Sequence, residues 1–283
     1  MNREPVSLSK RSVCEGLGTG LLVAAVVGSG IMGERLAGGN AAIALLANTI
    51  STGAALAALI MTFESYSGAH FNPAVSFAMA LRGSMPWREV PFYVSAQFAG
   101  GLLGTILAHL MFGHAWYSFS LHERSGLGQF LSESVATFGL LCVIWGCVNA
   151  RSALATAVAV ASYIVAAYWF TASTSFANPA VTVARCVTDT FSGIRPADVP
   201  GFVFAQFAGA VLATLLFAWI DRGRWAAPAL EPFFGIFGLR DELDRRPGCD
   251  RTRRLGGCAA IVVRAGRLHP GRARDPAARR AVP

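Results

Sequence analysis

The chain has 283 residues, 54% of them hydrophobic and only 14% charged, with a formal net charge of +8. So much apolar surface with so little charge excludes an ordinary water-soluble enzyme domain and points to an all-α membrane protein. The charge excess does not indicate a nucleic-acid partner, because residues 1–220 carry ten basic and nine acidic groups while the tail from Asp221 carries fourteen Arg against seven acids.

A short basic N-terminus, residues 1–11, precedes the first apolar span at 12–32. Glu15 lies inside this span and the apolar run is too long for a signal core, so it reads as a retained transmembrane helix. A second span follows at 41–62, and then Asn72-Pro73-Ala74 opens an apolar stretch at 72–82 that is too short to cross a bilayer. Asn is a strong helix N-cap and Pro is favoured at the first helical position, so the tripeptide reads as a helix start. A third span covers 90–112, a fourth 128–149 and a fifth 152–173. Asn178-Pro179-Ala180 then repeats the helix-start signal ahead of a second short stretch at 179–190, and a sixth span at 199–220 completes the series. A helix that begins within a membrane is tolerated only where its broken backbone is buried in protein or lines a water-filled cavity. Two such starts imply two re-entrant half-helices meeting at a shared pore.

The order of elements is repeated. Val94-Ser95-Ala96-Gln97-Phe98-Ala99-Gly100-Gly101 returns as Val203-Phe204-Ala205-Gln206-Phe207-Ala208-Gly209-Ala210, and Glu15 has its counterpart in Glu133. The repeats cover about 12–112 and 128–220, and each holds three spans, so the second enters the bilayer from the opposite side. The expected fold is therefore six transmembrane helices plus two half-helices in an inverted repeat, a channel domain over residues 12–220. Arg3, Lys10, Arg11, Arg82, Arg88, Arg151 and the tail fall on one side and Arg35, Arg124, Arg185 and Arg195 on the other, so the positive-inside rule makes the first side cytoplasmic and both termini are expected there. The tail, 221–283, is rich in Arg, Ala, Gly and Pro, as expected of a disordered extension or of a shifted reading frame.

No nucleotide loop, metal cluster or nucleophile–base arrangement is present, so neither cofactor nor metal is expected and the chain does not read as an enzyme. The cysteines are scattered, although Cys186 beside the second half-helix is a candidate for thiol reagents. His109, His114 and His122 show no ligand spacing. Glu15 and Glu133 are intramembrane carboxylates whose repeat-related places suggest that they accept backbone hydrogen bonds from the unwound pore segments. Glu64 is a possible cap at the cytoplasmic end of the first of these.

Ser67-Gly68-Ala69-His70-Phe71-Asn72-Pro73-Ala74-Val75, the second Asn-Pro-Ala-Val, the paired Glu and the Gln-Phe-Ala-Gly repeats resemble the aquaporin and aquaglyceroporin family. The resemblance implies a right-handed helix bundle, a pore within each subunit, assembly as a homotetramer in the bilayer, and passage of small neutral solutes and water. It also implies that the pore is lined by backbone carbonyls, here of Gly68, Ala69, His70 and Phe71 and of Thr174, Ser175, Phe176 and Ala177. Two helix N-termini facing the pore centre place partial positive charge there and disfavour cations, while the Asn72 and Asn178 amides would donate to a solute oxygen.

The family's narrowest ring maps, counted without gaps from the two motifs, onto Thr52, Ala166, Ser175 and Val181. A one-residue slip would give Ser51 or Gly53 on span two and Val165 or Ala167 on span five. The residue after the second motif is typically Arg; here it is Val181. The ring is thus expected to be small, uncharged and wide, which resembles the branch found in bacterial arsenic-resistance operons. Glycerol-like polyols and arsenous acid are the expected solutes, in a bacterial plasma membrane; a water-selective pore and a non-conducting scaffold are the alternatives. Arg185, four residues past Val181 and about 6 Å further from the midplane, is either a charge in the outer vestibule or an interfacial cation paired with Asp189.

Overall fold

Apolar runs, caps and left-handed glycines set the helix boundaries. In the computed structural model, which describes residues 6–148 and 152–221, the helices are α1 (Leu8–Leu36), α2 (Ala41–Ser67), α3 (Pro73–Leu81), α4 (Val90–Phe112), α5 (Leu127–Val148), α6 (Ala153–Phe170), α7 (Pro179–Arg185) and α8 (Val199–Ile220). Asn40 caps α2 by accepting from Ala42 N and Ile43 N, and Ser152 caps α6 by accepting from Ala155 N. Gly68 and Gly113 end α2 and α4 at φ 88° and 73°, in the left-handed region that a Cβ disfavours. Among the described residues six helices are long and apolar enough to span a bilayer, and the two short α-helices are α3 and α7. The tail beyond Asp221 lies outside the described residues.

Several boundaries differ from the sequence expectation. The first helix begins at Leu8, inside the segment read as an N-terminal extension, and its first turns are held by an Arg11–Glu89 ion pair at 2.8 Å. The half-helix α7 stops at Arg185 rather than 190, because the following carbonyls turn to partners in the α4–α5 loop. Cys186 O accepts from Ser120 N at 3.0 Å and Val187 O from Ser118 N at 3.0 Å. Helix α6 ends at Phe170 because Thr171 is extended, at φ −108° and ψ 140°.

The inverted repeat is visible in the packing, where α1 lies along α4 in the first half as α5 lies along α8 in the second. A Cβ on Gly100 would overlap the carbonyl oxygen of Gly16, and one on Gly209 would overlap that of Ser134. These glycines let backbones approach closely where lipid supplies no hydrophobic drive for helix association. The inner faces form a core that includes Phe71, Ala74, Ala78, Leu141, Trp145 and Tyr168, with Leu22, Val23 and Val27 in an adjoining cluster. The opposite faces expose Leu17, Leu21, Leu103, Leu107, Phe204 and Leu212, a continuous apolar exterior suited to a hydrocarbon surround rather than water.

Candidate functional site

The N-termini of α3 and α7 meet at the centre of the bundle and are locked to one another. Asn72 caps α3 by accepting from Ala74 N at 2.9 Å, and its Nδ2 donates to the carbonyl of Ala177 at 2.8 Å. Asn178 does the same for α7, accepting from Ala180 N at 3.0 Å and donating to the carbonyl of Phe71 at 2.7 Å. Each amide group has two N–H donors, so one is used across the pseudo-twofold and one is left for a molecule in the pore.

The segments leading into these helices are not simply extended. Ala69, Phe71, Thr174, Ser175 and Ala177 have φ between 48° and 58°, left-handed positions that cost non-glycine residues about 1–3 kcal/mol each. Two buried carboxylates hold them. Glu15 accepts from His70 N at 3.0 Å, Phe71 N at 2.7 Å, Ser67 Oγ at 2.7 Å and Gln97 Nε2 at 2.8 Å. Glu133 accepts from Phe176 N at 2.8 Å, Ala177 N at 2.8 Å and Gln206 Nε2 at 2.6 Å. The glutamines complete the symmetry, since Gln97 also donates to Ser76 Oγ and Gln206 to Thr182 Oγ1, each hydroxyl lying one turn into its half-helix. Gln97, Gln206, Ser76 and Thr182 were not anticipated as a unit, although the repeated Gln-Phe-Ala-Gly carried the signal. Glu64 takes no such part: its side chain is exposed at one end of the cavity, and its backbone carbonyl accepts from Gly68 N.

Because of this arrangement the carbonyls of Gly68, Ala69 and His70, and of Thr174, Ser175 and Phe176, accept no hydrogen bond among the described residues. Those of Phe71 and Ala177, also expected to serve solute, are used instead by the two Asn amides. The segments border a cavity of about 520 Å³ that also touches Thr52, Leu56 and Ile60 on α2 and Ser152, Thr156, Val160, Ile164 and Tyr168 on α6. The α6 residues form a stripe at spacing four, and its 16-residue length corresponds to about 24 Å of helix. Solute would therefore see carbonyls and amides on one wall, and on the other aliphatic side chains interspersed with the hydroxyls of Thr52, Ser152, Thr156 and Tyr168.

Three of the four residues expected in the narrow ring, Thr52, Ser175 and Val181, line this cavity. Ala166 does not; it is exposed on the outer face of α6, and its neighbours Val165 and Ala167 are not lining residues either. Tyr168 and Ile164, two residues to either side, face the cavity instead. The expected ring without an aromatic group is corrected accordingly: Tyr168, 3% exposed, directs its hydroxyl toward Thr52 Oγ1 at 3.4 Å. Thr174 is likewise not a lining residue.

Arg185 also faces the cavity and is only 2% exposed. It does not pair with Asp189, whose carboxylate accepts from Leu121 N at 3.0 Å. Instead its Nε donates to the carbonyl of Ser192, and its guanidinium lies over the Phe176 ring, 3.4 Å from the centroid. Arg124, in the α4–α5 loop, approaches the same ring at 5.0 Å and donates to the carbonyls of Gly193 and Ser173. Burial pushes Arg124 down to about 10, which still leaves it cationic at neutral pH.

Among the described residues no group of His, Cys, Asp or Glu is placed to hold a metal ion. His109 is bonded on both ring nitrogens, to Ala115 O and Thr188 Oγ1, and His70 Nδ1 lies 3.0 Å from Ser76 Oγ. Of the described cysteines, Cys147 lines the cavity at the Ser152 end and Cys186 does not. A water-soluble methanethiosulfonate reagent is therefore expected to slow solute flux through the wild type and not through Cys147→Ser, whereas Cys186→Ser should stay sensitive. Equal sensitivity of all three in a vesicle flux assay would place the reactive thiol elsewhere.

The chain matches the family model described as "Major intrinsic protein" over residues 3–154 and 147–232. It is 55% identical over 214 residues to Aquaglyceroporin AqpS of Rhizobium meliloti (strain 1021), covering 75% of this chain and 91% of that protein. It is 29% identical over 212 residues to Aquaporin NIP1-3 of Oryza sativa subsp. japonica, covering 72% of this chain and 73% of the relative. The X-ray structure of the aquaglyceroporin from Plasmodium falciparum superposes with a TM-score of 0.59 at 18% identity, covering 81% of this chain and all of that one, a likeness of fold.

Proposed function

The chain belongs to the major intrinsic protein family, whose members are channels and not enzymes, and we propose that it is a passive pore for small neutral hydroxylic solutes. The observation that carries this reading is the crossed pair of Asn72 and Asn178 amides, each with a spare donor, set in a cavity with carbonyls on one wall and a mostly aliphatic, partly hydroxylic wall opposite. Glycerol-like polyols and arsenous acid suit that surface. Their hydroxyls can accept from the amides and donate to the free carbonyls, and their remaining surface can slide along Leu56, Ile60, Val160 and Ile164. Water passes by the same donors and acceptors.

The pore works by replacing hydration, without a reaction and without a tightly bound state, since a conducting site must release its solute as readily as it takes it up. The helix N-termini of α3 and α7 place positive dipole ends at its centre and raise the barrier to cations. The six long helices make it a multi-pass membrane protein; a bacterial plasma membrane, both termini in the cytoplasm, a channel domain over 12–220 and assembly as a homotetramer complete the proposal. Stopped-flow light scattering on proteoliposomes tests it, by comparing glycerol, arsenous-acid and water gradients with empty vesicles. Solute uptake well above the empty-vesicle rate supports the reading. Fast water flow with no solute uptake would make this a water-selective channel, and no flow at all a scaffold.

A further inference from the structure

Two of the buried polar groups bordering the cavity have no partner among the described residues. The Nη1 atom of Arg185 is buried and makes no hydrogen bond among the described residues, and neither does the Oγ of Ser175. The guanidinium also has no carboxylate within ion-pair distance there, since the ion pairs of the described residues are Arg11–Glu89, Arg82–Asp221 and Arg195 with Glu123 and Asp198. A bare cation in an apolar bundle is expensive, and such residues are retained where they face a water-filled path. Its position is nonetheless fixed. Below the guanidinium lies the Phe176 ring, and its Nε is tied to Ser192 O. Ser192 is anchored in turn, because its Oγ donates to Val26 O at 3.1 Å, the carbonyl that also accepts from Asn48 Nδ2 at 2.7 Å. The loop after α7 is thereby pinned to α1 and α2, and the arginine with it.

We propose, building on the channel reading, that Arg185 is the charged filter group of this pore, moved one helical turn outward from the position that Val181 occupies. Its unpaired N–H groups donate to the oxygens of an entering polyol or hydroxylic acid, and its charge, with that of Arg124 near the same Phe176 ring, bars protons and other cations. Val181 leaves the ring below it wide, so that size selection and charge selection are separated along the path. Phe176 and Ser192 are positioning residues for the guanidinium.

The test is proton flux, read with a pH-sensitive dye in proteoliposomes, beside glycerol flux in the same vesicles. Arg185→Gln is expected to raise proton permeability about tenfold or more, as removal of a unit charge a few ångströms from the path should. Adding Val181→Arg to Arg185→Gln is expected to return the leak to near the wild-type level, which repair of a merely distorted fold would not do. A folded Arg185→Gln as proton-tight as the wild type overturns the proposal, and so does a leak that the added arginine fails to reverse. If Arg185→Gln is not recovered folded, Arg185→Lys decides. It keeps the charge and loses the fork, so it should stay proton-tight while glycerol flux changes threefold or more, and an unchanged glycerol rate overturns the proposal. Proton leak is read independently of solute flux, so a wild type that carries no solute would sink the channel reading while Arg185 is still judged by the leak.

Discussion

Glu15→Ala is expected to prevent accumulation of folded protein. The carboxylate lies at 0% exposure and accepts from four donors, two of them backbone N–H groups of the strained segment before α3. Removing it leaves up to four buried donors without partners at about 1–3 kcal/mol each, so the loss is roughly 4 kcal/mol or more. That is comparable with the whole stability of many domains. The left-handed positions at Ala69 and Phe71 would then keep only Ser67 Oγ on Ala69 N and Asn178 Nδ2 on Phe71 O, and the segment is expected to leave the pore wall. Glu15→Gln keeps one acceptor oxygen and should fall between the two. The measurement is the yield of monodisperse protein in mild detergent and its thermal unfolding midpoint. An alanine variant with wild-type yield and midpoint would mean that the crossed Asn amides alone hold the pore segments. Glu133→Ala, with three donors lost, should behave similarly but less severely.

That symmetry shows why so much was legible in the sequence. The half-helix starts could be read because Asn-Pro is a local signal: cap and first turn are adjacent in the chain. The repeat could be read because Gln97 and Gln206 recur in the same Gln-Phe-Ala-Gly context, and the spans could be read from apolar length alone. What failed was register across a loop. Gapless counting back from Asn178 lands on Ala166, but the segment 171–177 takes left-handed turns at Thr174, Ser175 and Ala177, a path that composition does not reveal. Helix α6 carries apolar and hydroxylic residues and no charge on any face, so periodicity does not fix the inward register. Tyr168 and Ile164 line the cavity, and only packing against Thr52 and its neighbours decides that. Arg185 was ambiguous for a related reason. Asp189 stands at helical spacing, but the helix has already ended at Arg185, so the i,i+4 pair cannot form.

Val181→Arg is expected to cut glycerol flux about tenfold or more while water flux survives, because the new side chain fills the ring rather than the whole path. Val181 is 5% exposed and faces the cavity together with Thr52, Tyr168 and Ser175. A guanidinium there would lie about 6 Å inward of Arg185 and bring donors to the hydroxyls of Thr52 and Ser175. A tenfold loss is a barrier increase of about 1.4 kcal/mol, a modest demand on several extra side-chain atoms in a ring that must admit a three-carbon polyol. Water is small enough to pass beside the side chain and can accept from it, so the ratio of water to glycerol permeability is the informative quantity, read by stopped-flow scattering on one set of vesicles. If both fluxes fall together, the arginine has blocked the pore or disturbed the fold. If glycerol flux is unchanged, the narrow ring is not at Val181, and size selection is then carried at the level of Tyr168 and Arg185, where the charged group and the aromatic ring would select together.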